Sequence, residues 1–98
     1  MEAVAWKLSS IKNEISFCLQ INGVNLKNKN KIVRSLEGWR MSGSGYNFKK
    51  KHEILLSYRE FSSHADFVKW AETFPYPLLE QKPSGKVYKI NKRAKNGK

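Results

Sequence analysis

A single cysteine excludes an internal disulfide, and with only two histidines it leaves Cys18, His52 and His64 as three scattered ligands where a zinc site wants about four. No metal or other cofactor is expected. Acidic residues are also scarce, eight Asp and Glu against nineteen Lys and Arg, so the chain carries +11 at neutral pH. No apolar run approaches the roughly 18 residues that a membrane-crossing helix needs, and Met1-Glu2-Ala3-Val4 lacks the basic flank of a secretory signal. These absences predict no membrane partner and a cytoplasmic, or nucleoid-associated, location.

What is present is enough for one core. An apolar fraction of 40% and an aromatic fraction of 12% are too high for a disordered chain, and 98 residues suit one domain rather than two. Residues 1–90 are read as a single basic α+β domain and residues 91–98 as a disordered basic tail. The expected architecture is a small mixed or antiparallel sheet of three to five strands, with two main helices packed on one face.

Along the chain, Val4, Leu8 and Ile11 have helical spacing, while Val4, Trp6 and Leu8 also alternate as in a strand; a short helix over 3–12 is the reading chosen. From Glu14 the pattern is that of a half-buried strand, with Ile15, Phe17, Leu19 and Ile21 alternating with Ser16, Cys18 and Gln20. Asn22-Gly23 can turn the chain into either a return strand or a helix. Asn28 or Asn30 can cap a helix that places Ile32, Val33, Leu36 and Trp39 on one face, with Gly38 weakening its last turn. Ser42-Gly43-Ser44-Gly45 reads as a break. Tyr46 and Phe48 then lead through Lys49-Lys50-Lys51, a hairpin tip, into a strand over 52–59. Ser63 with Asp66 opens a second helix that buries Phe67, Val68, Ala71 and Phe74 and is closed by Pro75. Leu78 and Leu79 return to the core, and residues 86–90 add a short strand.

The charge is clustered. Residues 1–26 balance, and residues 27–51 carry Lys27, Lys29, Lys31, Arg34, Arg40, Lys49, Lys50 and Lys51 against Glu37, a net of +7. Residues 52–81 reverse to −3, and residues 82–98, which include Lys86, Lys89, Lys92 and Arg93, return to +7 with no acid. Cations clustered in this way neutralise phosphates and release their condensed counterions, which gives salt-sensitive affinity without sequence reading. The plainer alternative is a solvated surface, the three hairpin lysines serving only to prevent edge-to-edge strand pairing. Trp39, Tyr46, Phe48 and Tyr88 lie close to basic residues and an exposed ring there can stack on an unpaired base, but their periodicity assigns most of them to the core, with Tyr46 and Tyr88 as exceptions.

Enzymatic constellations are thin. Cys18 sits in mid-strand away from both histidines, the acids are spread over separate elements, and Gly43-Ser44-Gly45 lacks the Lys-Ser/Thr of a phosphate-binding loop. His52 and His64 would make an acid–base pair for RNA cleavage only if the fold brought them together.

The order of elements from residue 15 to residue 82 resembles one half of a LAGLIDADG homing endonuclease after its signature helix. The resemblance rests on a strand, a helix ending in a Gly-containing turn (Leu36-Glu37-Gly38 through Gly43-Ser44-Gly45), a hairpin, and a helix closing at Phe74-Pro75-Tyr76-Pro77-Leu78-Leu79-Glu80-Gln81-Lys82. It covers about two-thirds of the chain. Residues 3–13 contain no counterpart of the signature helix's Gly-Asp ending, whose acid binds the catalytic metal, and Glu14 is not assigned that role. The resemblance implies a saddle-shaped sheet lying on duplex DNA without cleavage.

The expected function is non-catalytic nucleic-acid binding of regulatory or mobile-element type, DNA preferred over RNA, with homodimerisation compatible with a half-saddle. Phosphates would be held by the basic residues named above together with Asn47 and Arg59, and bases by Ser16, Gln20 and Tyr46. Alternatives are a structured-RNA-binding or ribosome-associated protein, a small endonuclease or ribonuclease, and an adaptor using the acidic segment 52–81.

Overall fold

The computed structural model describes residues 1–91. The element order is β1 (Glu2–Ile11), β2 (Glu14–Val24), α1 (Lys29–Ser35), β3 (Arg40–Asn47), β4 (His52–Phe61), α2 (His64–Thr73), β5 (Leu79–Gln81) and β6 (Val87–Lys89). The class is α+β, but the sheet has six strands rather than three to five, in the order β3-β4-β2-β1-β5-β6. All pairings are antiparallel except β1 with β5, which is parallel.

Residues 2–11 form a strand, not the helix expected. Strand alternation is there but disguised by small residues: Ala3 and Ala5 fill the buried face at 1% and 0% exposure, while Val4 and Trp6 point to the other side. Hydrophobic periodicity read from large side chains alone therefore favoured Val4, Leu8 and Ile11. Pairing with β2 over its whole length settles the competition, as tertiary context commonly overrides local pattern.

The strand from Glu14 follows its alternation and extends to Val24, with a bulge where Gly23 adopts φ +80°. The chain then enters α1, so the Asn22-Gly23 ambiguity resolves toward the helix. Ile32, Leu36 and Trp39 reach the core, whereas Val33 is exposed. Gly38, at φ +90°, turns the chain beneath the Arg59 guanidinium, which a Cβ would approach to 3.0 Å. The Ser42–Gly45 stretch is not a break but lies inside edge strand β3, bulged between Met41 and Gly43. Helix α2 starts where Ser63 Oγ accepts a hydrogen bond from the Asp66 amide at 3.2 Å, and it ends before Pro75.

The core lies between the two helices and one face of the sheet. Phe17 stacks on Phe67 at 4.0 Å between ring centroids, Phe61 meets both edge-on, and Trp39 and Trp70 extend the aromatic layer. Such rings contribute both buried area and preferred geometry. Asn91, assigned by sequence to the tail, is buried inside the domain. Its carboxamide accepts from the Leu78 amide at 3.1 Å and donates to the carbonyls of Ala71 and Tyr76 at 3.1 and 2.8 Å. A buried amide with three partners is a structural tie, so residue 91 belongs to the domain; the rest of the expected tail, residues 92–98, lies outside the described residues.

Candidate nucleic-acid interface

Register fixes what each face of the sheet carries. Phe17, Leu19 and Ile21 of β2 lie in line with Lys7, Ala5 and Ala3 of β1 and with Arg59, Ser57 and Leu55 of β4, on the helix side. Among the described residues, no helix lies on the other face. One row across it runs Val87, Gln81, Trp6, Cys18, Tyr58, Arg40; the next runs Lys89, Leu79, Val4, Gln20, Leu56, Gly43. Ser16 and Gln20 occupy this open face as their alternation with the apolar row requires. Gln20 Nε2 donates to Asn22 Oδ1 at 3.2 Å, which aligns two amide side chains near its centre. A groove beside them is lined by Val4, Trp6, Gln20, Asn22 and Gln81.

The face is partly apolar: Trp6, Val4, Ile54 and Leu56 are half-buried and Tyr58 is 36% exposed. Cys18, between Trp6 and Tyr58, is only 3% exposed, and burial pushes its thiol pKa up, as for an unreactive structural cysteine.

Among the described residues, cations of the two basic blocks lie on both rims of the sheet, while Lys27, Lys29, Lys31 and Arg34 sit in or beside α1 on the helix side. Arg40 lies on β3 and faces the open side, where it pairs with Glu60 at 2.9 Å. Lys49, Lys50 and Lys51 form the exposed β3–β4 tip, in which Asn47 Oδ1 accepts from the Lys50 amide at 3.1 Å. Lys27 and Lys51 border one shallow depression, Lys29 pairs with Glu53 at 2.9 Å, and Lys31 lies over the Tyr76 ring at 5.5 Å. Arg34 is exposed on α1. On the far rim, Lys86 precedes β6 and Lys89 lies within it, both exposed. Lys92 and Arg93 fall outside the described residues.

Four sequence assignments change place. Arg59 lies on the helix side, its guanidinium 4.7 Å from the Phe61 ring centroid and donating to the Glu37 carbonyl at 3.4 Å, so packing occupies it. Tyr46 pairs with Glu53 on the helix-side flank, away from Ser16 and Gln20. Phe48, expected in the core, is 82% exposed, while Tyr88 is half-buried with its hydroxyl donating to Glu80 at 2.8 Å.

Glu80 is a feature that sequence reading missed. It is 3% exposed, on the helix side of β5, and one oxygen meets both His64 Nε2 and the Tyr88 hydroxyl at 2.8 Å, with Lys82 at 3.9 Å from the other. Burial, then the bond to Glu80, raises the Tyr88 pKa; the hydrogen bond with Tyr88, then the Glu80 charge, raises that of Lys82. The only sequence signal was an acid inside the Leu78-to-Gln81 strand. His52 and His64 flank the ten-residue strand β4 at opposite ends, on the order of 30 Å apart, and do not form a catalytic pair. Among the described residues no cluster of three or more His, Cys, Asp or Glu is placed to hold a metal, and no helix is long and apolar enough to cross a membrane. No protein-family model, curated protein or solved structure matches the chain, so its functional reading rests on this geometry.

Proposed function

We propose that this chain is a non-catalytic nucleic-acid-binding module that docks on duplex DNA through the open face of its sheet. The observation that carries the reading is that, among the described residues, cations from both basic blocks, Arg40 and Lys49–Lys51 at β3 and Lys86 and Lys89 at β6, lie on opposite rims of a face that no helix covers. Five strand spacings make that face about 24 Å wide, against a major groove of about 12 Å. Rim cations can therefore reach flanking phosphates while the centre faces base edges. Arg40, Lys49–Lys51, Lys86 and Lys89 supply the phosphate contacts, which position without specifying; Gln20, Asn22 and Ser16 offer the donors and acceptors that read bases. The homing-endonuclease likeness supports the same docking, with the β2, α1, β3–β4 and α2 order as the half-saddle and a second copy completing it. A regulatory or mobile-element role in the cytoplasm or nucleoid fits this binding.

A second reading, a structured-RNA partner, is favoured by the half-open Trp6 and Tyr58 rings, two strands apart on the same face. Exposed sheet aromatics stack unpaired bases.

Anisotropy titrations with duplex DNA, single-stranded DNA and RNA over a salt series distinguish these. Six phosphate contacts give a log–log salt slope of about −5 for duplex. Tighter binding to single strands or RNA than to duplex replaces the first reading with the second, and negligible binding to all three at low salt removes both.

A further inference from the structure

The β3–β4 tip carries a feature that phosphate binding does not use. Phe48 is 82% exposed, in a chain whose other four phenylalanines are 0–6% exposed. Its ring meets Tyr46 edge-on, 4.9 Å between centroids at 69°, and Tyr46 is itself 48% exposed. The tip that presents it is shaped locally, with the Asn47 side chain bonded to the Lys50 amide and Lys51 held at φ +55°. Three consecutive lysines follow it, and Lys27 borders the same depression as Tyr46 and Lys51. The acid closest in sequence, Glu53, is engaged by Lys29.

An aromatic ring left in water at a hairpin tip forfeits its burial free energy in the free protein. Flanking lysines repel a second copy of the same tip and attract a polyanion with apolar faces between its charges. Stacked bases have that chemistry: phosphates outside, π-faces inside. Apolar side chains that enter base steps unstack them and bend the duplex while neighbouring cations hold the backbone.

We propose that Phe48 is a stacking wedge that enters between adjacent bases while Lys49, Lys50 and Lys51 hold the phosphates on either side. This rests on the nucleic-acid reading above and adds a mode of contact distinct from the sheet face. Tyr46 is a positioning residue, its ring limiting the directions in which Phe48 can point.

The test uses the full chain and a mixed-sequence duplex carrying 2-aminopurine, whose fluorescence rises on unstacking, with anisotropy measured in parallel. Wild type should raise the 2-aminopurine signal on binding. Phe48→Ala should weaken binding roughly tenfold, abolish the signal and leave the salt slope unchanged; Phe48→Trp should retain both. Replacing Lys49, Lys50 and Lys51 by Ala should instead flatten the slope by about 2.7. Circular dichroism should show the variants folded, since all four positions are exposed. If Phe48→Ala binds and unstacks like wild type, the wedge is wrong and the docking reading stands. If wild type binds no nucleic acid, both fail. If wild type prefers phosphatidylserine vesicles to duplex and Phe48→Ala abolishes vesicle binding, the tip is a membrane-insertion element and the wedge is overturned.

Discussion

The two edges of the sheet are secured in opposite ways. The β5–β6 edge is short, three residues to each strand, yet Glu80 ties Tyr88 and His64 together and Asn91 ties residue 78 to the end of α2. The β3 edge is eight residues long, exposed almost throughout, and held chiefly by its backbone ladder to β4; an added Cβ at Gly43 or Gly45 would meet nothing within 4 Å. One edge is fixed by buried polar side chains and the other by length. Both carry cations, so similar charge rests on supports of very different sensitivity to mutation.

The largest effect is expected from Asn91→Ala, which strands the Leu78 amide and the Tyr76 carbonyl, leaves the Ala71 carbonyl only the Phe74 amide, and should cost about 2–4 kcal/mol in a denaturant titration. A loss below 0.5 kcal/mol would mean that the edge does not depend on this tie. Glu80→Ala should follow at about 1–3 kcal/mol, because it leaves the Tyr88 hydroxyl and the His64 ring without their shared acceptor.

Alkali should loosen the same edge. The folded pKa values of Tyr88 and Lys82 are both raised, so the stability these protonated groups contribute is complete below their unfolded values near 10 and is lost as pH climbs through the folded ones. Melting temperature should therefore fall more steeply above pH 10 in wild type than in Tyr88→Phe, and parallel curves would show that the phenol is not coupled to folding. At the other edge, Arg40→Ala should change stability by less than about 0.5 kcal/mol, since its pair with Glu60 is solvated, while weakening duplex binding. Smallest of all, Gly45→Ala should be neutral within about 0.5 kcal/mol by thermal melting; a greater loss would show that β3 is more closely packed than its open surroundings indicate.

The same contrast explains what could be read in advance. Strand β2 and helix α2 were legible because their large apolar residues sit at the period of the element: Phe17, Leu19 and Ile21 at two, Phe67, Ala71 and Phe74 at three and four. Strand β1 was misread because its buried positions are alanines, and β3 because glycine is tolerated on an edge. The charge blocks were visible as composition, but the placement of Arg40 and Lys49–Lys51 on one rim and of Lys86 and Lys89 on the other depends on the long connection that brings β5 beside β1. Arg59 and Glu80 could not be assigned by type alone. Only register shows that one is spent on Phe61 and that the other is a buried acceptor.

Cys18 gives the molecule a built-in clock. The thiol sits in mid-β2, hydrogen-bonded strands on both sides, screened on the open face by its neighbours Trp6 and Tyr58. An alkylating reagent reaches it once the Trp6 and Tyr58 side chains swing aside or the strands part, so under slow labelling the modification rate reports the free energy of opening at the centre of that face. Edge substitutions that fray β6 alone should leave that rate untouched, whereas any change that quickens it has reached the middle of the open face.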